Sequence, residues 1–127
     1  MAESPNLSVI LIVEDEPFTR ELAVICIDEW LHRTLVADGV ESALTILRSG
    51  QNIDALFTDI NLKDAHHGGF DVARAAIALL PDLRVLYTSG NPATNELKSH
   101  FVSGAHFLRK PYTPDQLRIG LDALLGA

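Results

Sequence analysis

Cysteine is nearly absent from this chain. Cys26 is the only one in 127 residues, so no internal disulfide can form and nothing points to an oxidising compartment. Flanked by Ile25 and Ile27, it reads as a small buried hydrophobe rather than a reactive thiol. Positive charge is scarce too. Lys and Arg number 10 against 17 Asp and Glu, a formal charge of −7, which leaves no basic stripe for nucleic-acid phosphates and no attraction to an anionic membrane surface. No apolar stretch approaches the roughly 20 residues of a membrane-spanning helix. The opening Met-Ala-Glu-Ser-Pro-Asn-Leu has neither the positive start nor the apolar run of a signal peptide. Repeats, low-complexity tracts and linkers are missing as well. The expectation is a cytoplasmic protein with no nucleic-acid or membrane partner. Its length fits one domain over residues 1–127, with no output domain.

What is present is an alternation. Val9–Val13 is a short apolar run, stopped by Glu14-Asp15-Glu16-Pro17; a run this uninterrupted suits a strand buried on both faces. Pro17 fits the first turn of a helix, and Phe18, Leu22, Ile25, Cys26 and Trp30 then recur at helical spacing as its expected core stripe. The pattern repeats: strand Thr34–Ala37 and helix Val40–Leu47, strand Ile53–Thr58 and helix Phe70–Leu80, strand Val85–Thr88 and helix Ala93–Val102. Strand His106–Arg109 and helix Pro114–Leu125, with Thr113 as N-cap, complete it. Five strand–helix units with short connections predict an α/β fold, a five-stranded parallel sheet with helices on both faces.

Ligands of a doubly wound sheet bind beyond the carboxyl ends of its strands. Glu14 and Asp15 follow the first strand, Asp59 the third, Thr88-Ser89-Gly90 the fourth and Lys110-Pro111 the fifth. Taken singly, such residues are ordinarily helix caps, turn residues or solvated lysines. Taken together they converge on one edge. Three neighbouring carboxylates repel unless a cation joins them, and a hard ion with oxygen ligands points to Mg²⁺. A carboxylate beside Mg²⁺ and a lysine can attack phosphorus, and Thr88 can donate to a phosphoryl oxygen.

At this point the chain resembles the receiver domain of two-component response regulators, through Val9-Ile-Leu-Ile-Val-Glu-Asp-Glu16, Leu56-Phe-Thr-Asp-Ile-Asn-Leu62, Val85-Leu-Tyr-Thr-Ser-Gly90 and Gly104-Ala-His-Phe-Leu-Arg-Lys-Pro111. The resemblance implies a flavodoxin-like doubly wound fold and a single-domain regulator that takes a phosphoryl group on Asp59 from a histidine kinase or histidine phosphotransfer protein. It implies Mg²⁺ on Asp15, Asp59, the Asn61 backbone carbonyl and Glu14, directly or through water. It also implies Lys110 on the phosphoryl group, a cis Lys110–Pro111 bond, and Thr88 with Phe107 as the switch pair. Such a domain catalyses only its own phosphorylation and dephosphorylation. A phosphorylation-independent interaction module, or a receiver cut from a larger regulator or hybrid kinase, is the alternative.

The sequence departs from the commonest family pattern in three places. Lys63 replaces a usual proline, and Asp64-Ala-His-His-Gly-Gly69 is long for this loop. His66 and His67 read as solvated loop residues, with a second metal site or pH sensing as the other reading. Phe107 lacks the usual tyrosine hydroxyl, so the switch would rest on packing. Gly90-Asn91 leaves an open approach to the phosphate, which predicts a readily hydrolysed phosphoryl-aspartate. An aspartyl-phosphate phosphatase would need a second acid where Asn61 stands, and Glu14-Asp15-Glu16 would repel a flavin phosphate. Ala23, Val24, Ile27 and Leu31 give the first helix more apolar surface than one core face needs. Either the buried stripe is wide, or a docking patch or homodimer seam lies there. In the last helix Leu117, Leu121, Leu124 and Leu125 form the stripe, with Ile119 off it.

Overall fold

The computed structural model describes residues 8–126, so the N-terminal stretch read above for a signal peptide lies outside the described residues. In chain order the elements are β1 Val9–Val13, α1 Pro17–Glu29, β2 Arg33–Ala37, α2 Val40–Leu47, β3 Ala55–Asp59, α3 Gly68–Leu79, β4 Arg84–Ser89, α4 Asn95–Lys98, β5 His106–Arg109 and α5 Pro114–Leu125. The strands form one sheet of order β2-β1-β3-β4-β5, parallel throughout. The expected five-stranded α/β architecture is therefore present, with boundaries shifted by a residue or two in β2, β3, α3 and β4.

The strands read as unbroken apolar runs because each has a core on both faces. Successive side chains alternate between them. Ile10 and Ile12 of β1 join Ala55 and Phe57 of β3 under α1 and α5. Leu11 and Val13 join Leu56, Val85 and Tyr87 under α2 and α3. The chain leaves β1 for β2 on one side and returns to β3 on the other, so the switch point lies between β1 and β3. There Val13 pairs with Thr58, and Asp59 with Thr88.

Two helices differ from expectation. In α1 the core face is Ala23, Cys26 and Ile27, with Trp30 packed at its end, while Phe18, Leu22 and Ile25 are exposed. The expected stripe is thus turned: α1 is apolar nearly all round, and periodicity alone could not say which side the sheet covers. Ile27 belongs to the core. Cys26 is buried, as expected. The fourth helix is only Asn95–Lys98, far shorter than Ala93–Val102. None of its residues is buried, so little packing sustains it. After Lys98 the backbone tightens, with His100 and Phe101 N–H groups donating to carbonyls three residues back, and the Tyr87 hydroxyl accepts the Val102 N–H at 3.2 Å. In α5, Leu117, Leu121 and Leu124 are buried and Ile119 is exposed, as expected.

Candidate phosphoacceptor and metal site

The loops beyond β1, β3, β4 and β5 meet at the carboxyl rim of the sheet. Glu14 follows β1, and its backbone is fixed on both sides: its N–H donates to the Ala37 carbonyl at 3.1 Å, and its carbonyl accepts from the Arg20 guanidinium at 2.9 Å. Glu16 caps α1 by accepting the Thr19 N–H at 2.8 Å, with Pro17 in the first turn. Asp59 ends β3, and the next residue, Ile60, donates its N–H to the Thr88 carbonyl at 2.9 Å.

Lys110 is brought in from the end of β5, with a cis peptide bond to Pro111 as the resemblance implied. Its ammonium forks between Glu14 Oε1 at 2.7 Å and Asp59 Oδ2 at 2.8 Å. Both carboxylates are nearly out of solvent, 4% exposed for Glu14 and 8% for Asp59. Burial works against the Lys110 charge, but Asp59 and Glu14 together outweigh it and hold its pKa above the usual 10.5. For Glu14 the balance runs the other way: burial raises its pKa above the usual 4.5 despite Lys110. One ammonium thus faces two buried carboxyl groups. A net negative charge is left over.

Asp15 adds to it. One oxygen each from Glu14, Asp15 and Asp59 lies within 4.8 Å of the others. An all-oxygen set with surplus negative charge is what a hard divalent cation such as Mg²⁺ requires. The residues present therefore fit that ion. Asn61, two residues past Asp59, is partly buried, and its side-chain oxygen accepts the His67 N–H at 3.2 Å.

Thr88 is buried beside Asp59, and its hydroxyl donates to the Leu108 carbonyl at 2.7 Å. Phe107 is half-buried, its ring 6.1 Å from that of Phe101, which packs in turn against Tyr87 at 4.5 Å. A Cβ on Gly90 would meet nothing within 4 Å, so this side of the rim is open. His67 is half-buried, with the His100 ring 6.5 Å from its own, while His66 is exposed. The His66 and His67 rings stack at 4.0 Å and 22°.

Three contributors escaped sequence reasoning. Gly69 lets α3 approach the back of Asp59, its N–H donating to Ile60 O at 2.8 Å; the signal was a Gly-Gly pair at a helix start. Tyr112 packs its ring 5.9 Å from Phe57, and burial, then the charges of Glu14 and Asp59, raise its hydroxyl pKa well above the usual 10. Asp64, in the long loop, carried no local signal for its partner.

Known proteins share the fold. The alginate biosynthesis transcriptional regulatory protein AlgB of Pseudomonas syringae pv. tomato is 28% identical over 119 residues, 93% of this chain but 26% of that protein. The chain thus spans about a quarter of the length of the curated relatives it matches. The response regulator receiver protein of Sinorhizobium medicae superposes with a TM-score of 0.86 at 29% identity, over 98% of each chain. The receiver domain of a sensor histidine kinase from Pseudomonas aeruginosa PAO1, crystallised with a magnesium ion in its active site cleft, shares the fold at 18% identity. It has a TM-score of 0.79 and covers 94% of this chain and 98% of its own. Residues 10–122 match the family described as the response regulator receiver domain, and the chain belongs to that family.

Proposed function

We propose that this chain is a phosphoacceptor switch, in which Asp59 takes a phosphoryl group from a phosphohistidine of a histidine kinase or histidine phosphotransfer protein. The observation that carries the reading is the fork of Lys110 between Glu14 and Asp59, 2.7 and 2.8 Å, beside a cluster of acidic oxygens within 4.8 Å. Glu14, Asp15, Asp59 and the Asn61 backbone carbonyl would hold Mg²⁺, which when bound offsets negative charge on the phosphoryl oxygens.

The chain's own groups do the rest. An Asp59 carboxylate oxygen forms a bond to phosphorus as the donor's P–N bond breaks, and the electron pair leaves with the imidazole nitrogen. Lys110 keeps its positive charge throughout and pairs with the incoming oxygens. Hydrolysis reverses the gain: water attacks phosphorus, the P–O bond to Asp59 breaks and the carboxylate is restored. In this reading the domain catalyses only its own phosphorylation and dephosphorylation. Thr88 would exchange the Leu108 carbonyl for a phosphoryl oxygen, and Phe107 would repack against Phe101, a switch made of packing because Phe107 has no hydroxyl. The partner would dock on exposed Phe18, Leu22 and Ile25 of α1, next to the groove of Thr19, Leu22, Gly90, Lys110, Pro111 and Tyr112.

Incubation with acetyl phosphate and Mg²⁺, followed by intact mass, tests the reading. The wild-type chain should gain one phosphoryl mass, and neither Asp59→Asn nor wild type in EDTA should. No gain in wild type would overturn the proposal and leave a phosphorylation-independent interaction module.

A further inference from the structure

The connection from β3 to α3 folds back on itself. Leu62 and Ala65 exchange backbone hydrogen bonds at 3.1 and 3.3 Å, which makes Lys63 and Asp64 the tip of a tight turn. That tip rests on the start of α2, where Gly39 stands at the N-cap with no side chain to offer. The Asp64 carboxylate fills the gap from 24 residues away. It accepts the Val40 N–H at 3.0 and 3.1 Å, through its two oxygens, and lies 3.5 Å from the Glu41 nitrogen. A carboxylate is the charge that a helix N-terminus favours. The Lys63 ammonium adds an ion pair to Asp38 at 3.0 Å. At the other end the loop is closed by Asn61, whose side-chain oxygen accepts the His67 N–H.

We propose that Asp64 is a positioning residue for the metal site: by capping α2 from the loop that follows Asp59, it holds the Asn61 backbone in register for a divalent cation. The inference rests on the proposed function, which gives the Asn61 carbonyl to Mg²⁺. A loop left free at its tip must be ordered each time an ion binds, whereas a tethered one is already in place. The cap and the ligand are three residues apart on one short turn, so losing the first loosens the second.

The test is an NMR titration of backbone amides with MgCl₂, alongside urea unfolding, on four proteins: wild type, Asp64→Ala, Asp64→Asn and Asp64→Ala with Gly39→Ser. Asp64→Ala should weaken Mg²⁺ binding roughly tenfold and lower stability. Asp64→Asn, whose amide oxygen still accepts, should recover most of both. Gly39→Ser supplies α2 with its own cap, on an extended backbone at φ −172° that any residue adopts. A Cβ there would crowd the Asp64 carboxylate at 2.9 Å, and Asp64→Ala removes that obstacle. The double variant should regain stability but not Mg²⁺ affinity. If it regains both, or if Asp64→Ala binds Mg²⁺ like wild type, Asp64 is a helix cap only and the inference is overturned. A wild-type spectrum that ignores MgCl₂ would instead overturn the phosphoacceptor reading, and this inference with it.

Discussion

Gly69 lies in the first turn of α3, and a Cβ built there would stand 2.1 Å from the Asp59 carbonyl oxygen and 2.8 Å from the Ile60 Cα. Carbon–oxygen contacts close at roughly 3.3 Å, so Gly69→Ala falls short of room by about an ångström. Both obstructing atoms are backbone, and the Ile60 N–H is bonded to Thr88 O at 2.9 Å, so no rotamer change relieves the clash. Overpacking costs about 1–3 kcal/mol or more, and a rigid strand end belongs at the upper end. Alanine's helix preference returns only roughly 0.5–1 kcal/mol. The net loss should be about 2–3 kcal/mol, a fall in Tm of roughly 6–15 °C for a domain of this size. Circular-dichroism melts of Gly69→Ala and wild type measure it, with Gly90→Ala as control because its Cβ meets nothing. A Gly69→Ala melt within a degree or two of wild type would refute the reasoning.

Three further outcomes follow from the geometry. Glu14 has a folded pKa above the usual 4.5, so the folded chain holds a proton that the unfolded chain releases, and this carboxyl costs metal-free stability as pH rises through that window. In EDTA, the advantage of Glu14→Gln over wild type in urea unfolding should grow from pH 4 to pH 7; a flat or shrinking difference contradicts this. Tyr87→Phe deprives the Val102 N–H of its acceptor and should cost about 1 kcal/mol, with faster amide exchange over residues 97–105; unchanged exchange there would count against the Tyr87 anchor. Ile25→Glu on the exposed face of α1 should leave melting temperature and acetyl phosphate labelling intact while slowing transfer from a phosphohistidine partner, whereas Ile27→Glu, in the core, should unfold the chain. Normal partner transfer to Ile25→Glu would remove α1 from the docking surface.

Much of the molecule is legible locally. The sheet's strands are short apolar runs stopped by charged or small residues, so β1, α2, β5 and α5 lie where the sequence puts them. The chemistry is legible for the same reason. In a parallel sheet every strand ends at one rim, so the order of strands and helices already assigns Glu14, Asp15, Asp59, Thr88 and Lys110 to one neighbourhood.

The rest was decided by contacts between residues far apart in sequence. Hydrophobic spacing reports which side chains avoid water, not which neighbour covers them. α1 is apolar on several faces, so only docking onto β1 and α5 sorted buried Ala23 and Ile27 from exposed Phe18 and Leu22. A helix-like pattern after Ala93 shrank to Asn95–Lys98, where only Leu97 is even partly buried. Asp64 became the cap of a helix 24 residues away, and Lys110 was divided between two acids, one of them 51 residues distant. Composition and local order determine which groups reach the rim; distances of a few ångströms, set only when the layers pack, determine which of them share a proton, a charge or an ion.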